Sequence, residues 1–421
     1  TRWHFPREDV ARLRELAARQ RDASRLPVME ERAREWTRHN DLVPGRPMIH
    51  VEFGTFRNDL VPPLLCRDPM ARQLEDRILS NLVNHERIDD DRLVPKTLDI
   101  AWWVRRILFD QPISAIHAHD EQGRETLGHQ FIHPIRNLEE DLPRLRPSRR
   151  EVDRESTLAW KDFVENLLGD LLPVRLAQGS LYASPTGDVV RLMGMEAMFM
   201  AMVDTPDLFL ALMDRVTQEY VDDFRWLEAE GLLLPNNGND WLAQGSFGFT
   251  RSLPDGPPEP GVPLRTRDLW GYLDSQETVG VSPEDFAAFI LPGYLRIAEL
   301  YGLLSYGCCE PVHPIWDSSL VRLPRMRKVS ISAWCDEAFM GERLRGSGVI
   351  YLRKPSPNFI GVGRDLDEEG YRAHIRKTLA AARGCQLEFA FRDIYTLGGD
   401  PEKPRRAVAI LREEIQRHWE G

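Results

Sequence analysis

The segment from residue 328 to residue 354, KVSISAWCDEAFMGERLRGSGVIYLRK, decides the fold of this chain. Apolar and β-branched residues make 328–334 and 348–354 typical of buried strands, and a short helix is predicted to start near Asp336 between them. Two strands joined by a helical connection of this length pair in parallel. The segment therefore predicts a parallel sheet that is covered by crossover helices.

The same alternation of strand and helix continues on both sides of this segment. Upstream, a helix predicted at 282–302 has Ser282 as its N-cap and Pro283 at its first position, and it leads into LLSYG at 303–307. Downstream, a helix at 366–383 leads into QLEFAFRD at 386–393, and a closing helix starts near residue 402.

The chain as a whole contains about eight predicted strands. They lie at 48–53, 98–103, 173–178, 240–247, 303–307, 328–333, 348–353 and 386–392. Eight parallel strands close a (β/α)₈ barrel, and no glycine-rich phosphate loop of an open dinucleotide-binding sheet follows any of them. We therefore predict an α/β fold, a TIM barrel at 46–421 with an N-terminal helical extension at 1–45, where the helical periodicity of 8–40 indicates two helices.

Composition narrows the classes of function. Of the 421 residues, 42% are hydrophobic and 29% charged, which is ordinary for a globular protein, and no apolar run reaches the length that a bilayer requires. A formal net charge of −11 argues against nucleic acid as a partner. The first twenty residues lack the apolar core of a signal peptide, so we expect a cytoplasmic location with the five cysteines reduced.

The candidate site is formed by polar residues at the predicted strand ends, where barrel enzymes carry out their chemistry. Asp240 and Gln244 belong to the fourth predicted strand, and Arg353 ends the seventh. The candidate catalytic residues are Asp393, Asp336, Glu277 and Tyr306. The candidate substrate-binding residues are Glu52, Gln276, Trp334, Lys354, Arg392 and Tyr395. The candidate metal ligands are Cys308, Cys309, Glu310 and His313.

The two adjacent cysteines have two interpretations. Neighbouring residues of a strand face opposite sides, so both thiols reach one point only if a turn follows the strand. Otherwise one is a small core residue and the other packs beneath a helix. Glu310 and Asp336 are equally well explained as helix caps, and HAHD at 117–120 indicates a polar hairpin rather than a ligand cluster.

Several motifs together resemble the uroporphyrinogen decarboxylase superfamily, in particular its decarboxylase-like branch. They are YGCCEPVHPIWD (306–317), SQETVGVSPEDF (275–286), KVSISAWCD (328–336), VIYLRKPSPN (349–358) and LEFAFRDIYTLGGDP (387–401). The resemblance covers about 46 to 421 and implies a (β/α)₈ barrel. The superfamily also contains corrinoid and coenzyme M methyltransferases.

The sequence departs from two patterns of that superfamily. Where true decarboxylases carry an arginine-rich loop, this chain has EFGTFRNDL at 52–60 with only Arg57, which argues against uroporphyrinogen as the substrate. The zinc methyltransferases bind metal through a His-x-Cys pair and a later cysteine. Here the pair is Tyr306-Gly307-Cys308, and the later position falls near Asp393 or Ile394.

The resemblance implies an enzyme that transfers a methyl or other one-carbon group from a small methylated substrate to a corrinoid or thiol acceptor. Cys308 would act as a ligand of zinc or as a thiolate, and any corrinoid would be carried by a partner protein. One alternative is a metal-free decarboxylase or lyase on a carboxylated substrate, with Asp393 or Asp336 as acid and base. A non-catalytic partner subunit of a corrinoid protein is the other alternative, and a homodimer is the candidate assembly.

Overall fold

Seven parallel strands form the central sheet of the computed structural model, which describes residues 3–119, 125–254 and 261–420. Numbering all strands along the chain, the sheet has the order β1-β15-β14-β13-β12-β11-β8. The strands are β1 (Met48–Val51), β2 (Leu98–Ile100), β3 (Val104–Ile107), β4 (Ala115–His119), β5 (Glu125–Phe131), β6 (Arg149–Val152), β7 (Val174–Leu176), β8 (Leu181–Ala183), β9 (Trp241–Ala243), β10 (Ser246–Phe247), β11 (Trp270–Leu273), β12 (Leu303–Tyr306), β13 (Met326–Ile331), β14 (Ile350–Arg353) and β15 (Leu387–Phe391).

Helices connect these strands and cover the sheet. The α-helices are α1 (Arg7–Ser24), α2 (Pro27–Asn40), α3 (Arg57–Leu60), α4 (Pro69–Val83), α5 (Leu138–Asp141), α6 (Arg154–Leu168), α7 (Pro185–Met193), α8 (Met195–Asp204), α9 (Pro206–Ala229), α10 (Pro283–Asp285), α11 (Leu291–Ala298), α12 (His313–Trp316), α13 (Glu337–Leu344), α14 (Asn358–Gly361), α15 (Glu368–Ala381) and α16 (Lys403–His418). Single π turns occupy Asn84–Ile88 and Phe286–Ile290. Short 3₁₀ turns occupy Gly54–Phe56, Leu108–Asp110, Leu142–Arg144, Thr266–Asp268, Gln276–Thr278 and Leu320–Arg322.

The parallel α/β prediction is confirmed, and the closed barrel stays a prediction. β2 pairs in parallel with β7 in a separate two-stranded sheet, and β7 is followed after four residues by β8 of the large sheet. No ladder joins β1 to β2 within the part of the chain that the structure describes. The two N-terminal helices are confirmed as α1 and α2.

The predicted fourth strand at 240–247 is wrong. That segment is an antiparallel hairpin of β9 and β10, because Ala243, Gln244 and Gly245 all have positive φ (95°, 56° and 84°) and turn the chain back. The sheet position is filled instead by β11, which pairs with β8 and β12. β11 escapes a periodicity search because it is four residues long and contains Gly271, a residue that weakens strand propensity.

The structure also bears on the predicted polar hairpin, on the predicted flap and on the question of a membrane span. β4 and β5 form an antiparallel pair around 117–119, which agrees with the predicted polar hairpin, although Asp120 lies outside the described residues. The predicted flap at 251–265 is also partly outside them, since 255–260 are not described. No helix in the described ranges combines the length and the apolar character needed to cross a bilayer.

Candidate functional site

Two thiols meet just after the end of β12. Gly307 takes a positive φ of 96° and turns the chain, which brings Cys308 Sγ to 3.4 Å from Cys309 Sγ. The Cys309 thiol also lies 3.0 Å from Asp393 Oδ2, and Arg392 Nη1 lies 3.6 Å from Cys308 Sγ. The sequence analysis expected both thiols to reach one point only if a turn followed the strand, and the structure has such a turn at Gly307.

The surroundings of the two thiols shift their pKa values in opposite directions. The hydrogen bond from Cys309 lowers the pKa of Cys308, and although burial opposes the effect, the charges of Lys354 and Arg392 lower it further. The pKa of Cys309 is raised, first by its side-chain contact with Cys308 and then by burial. Of the two thiols, Cys308 is therefore the one that ionises more readily.

A ring of charged side chains surrounds the thiols. Arg392 donates to Glu52, and although burial alone would lower the pKa of Arg392, the charges of Glu52 and Cys308 raise it. Lys354 Nζ donates to the carbonyl oxygen of Cys308 at 2.6 Å and to Gln244 Oε1 at 3.0 Å. Burial lowers the pKa of Lys354, which is 4% exposed. The site thus joins the ends of β1, β12, β14 and β15 to the tip of the β9–β10 hairpin.

Glu310 and His313 do not join the cysteines as a ligand set. Both carboxylate oxygens of Glu310 accept backbone N–H groups, from Cys308 at 2.7 Å and from Ser275 at 3.0 Å. Burial raises the pKa of Glu310. His313 Nδ1 accepts the backbone N–H of Asp336 at 3.2 Å. Glu310 therefore fixes the loops after β11 and β12 through hydrogen bonds from two backbone N–H groups.

The donor arrangement does not fit the zinc that the resemblance implies. In the described ranges, no three or more histidine, cysteine or carboxylate side chains are grouped so that they could hold a metal ion. Structural and catalytic zinc sites need at least three protein ligands that converge on one point.

Asp336 occupies the N-cap of α13. Its Oδ1 accepts the backbone N–H of Phe339 at 3.0 Å, and its side chain is exposed. A carboxylate at this position satisfies a helix N-terminus. Of the two candidate acids, only Asp393 contacts the cysteine pair, and its backbone is in the left-handed region with φ of 58°.

Tyr306 and Glu277 lie in a polar network next to the thiols. The Tyr306 hydroxyl is 2.5 Å from Ser275 Oγ, and burial raises its pKa. Glu277 accepts from Thr186 Oγ1 at 2.9 Å, and burial raises the pKa of its carboxyl group. Gln276 is exposed in the 3₁₀ turn beside it.

A carboxylate that the sequence analysis missed belongs to this network. Asp274, the residue after β11, accepts hydroxyl groups from Ser184 at 2.6 Å, Tyr272 at 3.1 Å and Tyr182 at 3.2 Å. Burial raises its pKa. The Tyr272 hydroxyl also lies 3.2 Å from the carbonyl oxygen of Gly307, next to Cys308. Had 270–273 been identified as the strand, the rule of searching strand ends would have found Asp274.

The remaining candidates lie at the rim or in ion pairs. Trp334 and Tyr395 are 74% and 60% exposed. Arg353 donates to Glu337 at 3.0 Å in a buried pair, and Asp240 accepts from Arg175 at 2.8 Å. Arg353 would have to leave Glu337 before it could hold the carboxylate of a substrate.

Comparison with known proteins shows a likeness to solved structures. No family model matches the chain, and no curated protein matches it. Among solved structures, it is similar to a methyltransferase from Methanosarcina mazei, with a TM-score of 0.50 and 14% sequence identity, covering 91% of this chain and 98% of that one. At this identity the likeness shows a shared α/β fold.

Proposed function

We propose that this chain is an enzyme of the uroporphyrinogen decarboxylase type that transfers a methyl or other one-carbon group, and that its strands complete a (β/α)₈ barrel. The seven-stranded parallel sheet and the fold shared with a methyltransferase support the proposal. The methyl donor is a small methylated molecule, and the acceptor is a thiol or a corrinoid on a partner protein.

The observation that carries the proposal is the environment of Cys308. Its sulfur lies 3.4 Å from the Cys309 sulfur and 3.6 Å from Arg392 Nη1, and its pKa is lowered. A thiolate rather than a thiol is the nucleophile in cysteine chemistry, and nearby cations increase the thiolate fraction at neutral pH. Barrel enzymes place such groups after their strands, as β12 places Cys308.

The chemistry of this thiolate is a displacement at carbon. A lone pair of Cys308 Sγ forms a bond to the methyl carbon, and the bond from that carbon to its leaving group breaks, with the electron pair departing on the leaving group. A stronger acceptor nucleophile then displaces Cys308 and restores the thiolate. Arg392 and the Cys309 thiol stabilise the charge on sulfur before and after the transfer.

The direct test uses methyl iodide as a minimal methyl donor, followed by peptide mass spectrometry of the native chain. We expect one methyl group on the peptide that contains Cys308, gained faster at neutral pH than on any peptide with Cys66 or Cys385. Burial raises the pKa of these two thiols, to about 12 and about 11. Equal labelling of all three cysteines would contradict the proposed thiolate.

Turnover is tested with methylated amines, thioethers and aryl methyl ethers as donors, and 2-mercaptoethanesulfonate or cob(I)alamin as acceptors. We expect the variant Cys308→Ser to lose transfer, by roughly two orders of magnitude or more if the thiolate is the nucleophile. Full activity of Cys308→Ser would overturn the proposed function. The variant Cys385→Ser serves as a control, because Cys385 lies away from the site and its thiol donates a hydrogen bond to the carbonyl oxygen of Gly341.

A further inference from the structure

A second cavity lies outside the cysteine site. It has a volume of about 300 Å³, and its walls come from α4, β2, the residues after β7 and the β9–β10 hairpin. None of Cys308, Cys309, Lys354, Arg392 and Asp393 lines it. Pockets of this size hold small organic molecules when a few polar groups are suitably placed.

The lining of the cavity contains two arginines and two aspartates. Arg77 and Arg92 both line it, and neither forms a salt bridge within the described residues. Arg92 Nη1 donates only to the amide of Asn84, at 3.0 Å. Burial lowers the pKa of Arg92, although the charges of Asp90 and Glu52 raise it. A guanidinium that forms no salt bridge keeps N–H donors for an anionic ligand.

The carboxylates of the cavity wall do not cancel this charge. Asp99 and Asp240 also line the cavity, but both accept hydrogen bonds from Arg175, at 2.8 and 3.0 Å for Asp99 and 2.8 Å for Asp240. Arg175 therefore offsets one of their two negative charges. Arg77 and Arg92 take no part in these hydrogen bonds.

Aromatic and amide side chains complete the lining. The Trp241 indole is half exposed, although it belongs to the hairpin that forms one wall. An indole face accepts planar rings by stacking. Gln178 Nε2 and Asn239 Oδ1 have no hydrogen-bond partner in the described chain, so one donor and one acceptor of the wall are unused.

We propose that this cavity binds a small planar molecule that carries a carboxylate, with the carboxylate on Arg92 and Arg77 and the ring against Trp241. Glu52 pairs with Arg392 beside Cys308, and its charge also acts on Arg92. Because none of the residues around Cys308 lines the cavity, this binding site does not depend on the proposed function.

Isothermal titration calorimetry with benzoate, 4-methoxybenzoate and cyclohexanecarboxylate tests the proposal on the full chain. We expect both planar acids to bind more tightly than the non-planar one. Each of Arg92→Gln and Arg77→Gln should weaken the binding of benzoate by roughly tenfold or more, because a charge-assisted hydrogen bond is lost. Trp241→Ala should weaken the planar acids selectively, whereas Trp241→Phe should retain most of the affinity.

A control variant and a second arginine variant accompany the test. Arg25→Gln, at an exposed arginine with no partner in the cavity, should bind benzoate as the wild type does. Arg77 is exposed, so Arg77→Gln remains a valid test if Arg92→Gln does not fold. No binding of benzoate by the wild type at millimolar concentration, or unchanged affinity in Arg77→Gln, would overturn the proposal.

The two proposals fail separately. Cys308→Ser should bind 4-methoxybenzoate with wild-type affinity whether or not methyl transfer occurs. If binding depends on the arginines but no transfer depends on Cys308, only the proposed function fails. If transfer depends on Cys308 but binding does not depend on the arginines, only the cavity assignment fails.

Discussion

The cysteine pair shows how one residue sets the ionisation of its neighbour. The Cys309 thiol is the principal reason for the lowered pKa of Cys308, ahead of the charges of Lys354 and Arg392. In Cys309→Ala that hydrogen bond is absent, so we expect the pKa of Cys308 to rise and its alkylation by iodoacetamide at neutral pH to slow. The pH dependence of the alkylation rate measures the change.

The same measurement has an internal control. Cys309→Ser keeps a hydroxyl donor near Cys308 and should shift the alkylation profile less than Cys309→Ala does. An identical profile for wild type and Cys309→Ala would mean that the two cations alone hold the thiolate.

At the scale of elements, a buried charge cluster ties α2, β13 and β15 together beneath the site. Lys328 Nζ and His39 Nε2 each lie 2.9 Å from Glu388 Oε2, and all three side chains are at most 2% exposed. Despite burial, Lys328 and His39 lower the pKa of Glu388 to about 2. Lys328 also lies 5.6 Å from the Trp36 ring and 5.8 Å from the Trp270 ring.

Breaking this cluster should destabilise the chain and change its acid sensitivity. Lys328→Met leaves Glu388 buried beside a neutral histidine, and we expect a loss of about 3 kcal/mol in the free energy of unfolding at neutral pH. Because the folded pKa of Glu388 is below its unfolded value, its contribution is present above about pH 4.5 and is lost as the pH falls towards 2.

Urea unfolding at a series of pH values measures both effects. Lys328→Met should lose the decline in stability that Glu388 contributes between pH 4.5 and 2. The double variant Lys328→Met with Glu388→Leu removes both charges and should recover part of the stability. A single variant as stable as the wild type would contradict the role given to the cluster.

Strand β11, which the sequence analysis did not identify, leads to a prediction about its glycine. A Cβ added at Gly271 of β11 would lie 2.1 Å from Tyr301 Cγ, a contact that no side chain tolerates. We expect Gly271→Ala to lower the free energy of unfolding by about 1–3 kcal/mol, because the strand must move away from the ring. Thermal unfolding measures the loss. Gly54→Ala, where no atom lies within 4 Å, is the control, and an equal effect of both would contradict this packing.

The sequence predicts the strands and helices whose residue pattern is local. It does not predict features that depend on contacts between distant parts of the chain. Strands β12, β14 and β15 are rich in apolar and aromatic residues, and α1 and α2 have helical periodicity. β11 lacks such a pattern, because its second residue is Gly271, against which the ring of Tyr301 packs. The role of Glu310 was equally hidden, since its two partners are backbone groups of different loops. The approach of Cys309 to Asp393 joins residues 84 positions apart.

At the scale of the whole molecule, the N-terminal helices are part of the sheet's support. Trp36 of α2 is fully buried and donates through Nε1 to Asp91 O at 2.9 Å. Asn40 Nδ2 donates to the carbonyl oxygens of Phe247 and Phe249, at 2.9 and 2.8 Å, and so holds the β9–β10 hairpin. The tip of that hairpin is Gln244, which binds Lys354 at the site.

Removal of residues 1–45 should therefore affect both folding and the site. We expect the truncated chain to be expressed largely unfolded, because it loses the Trp36 packing and leaves Glu388 without His39. Circular dichroism and thermal unfolding, compared with the full chain, measure this directly. A milder variant, Asn40→Ala, should keep the fold but loosen the hairpin, which would slow alkylation of Cys308 if Gln244 holds Lys354 in place. A truncated chain that unfolds cooperatively at the wild-type temperature would instead make 1–45 a separable extension, and the hairpin would then depend on the sheet alone.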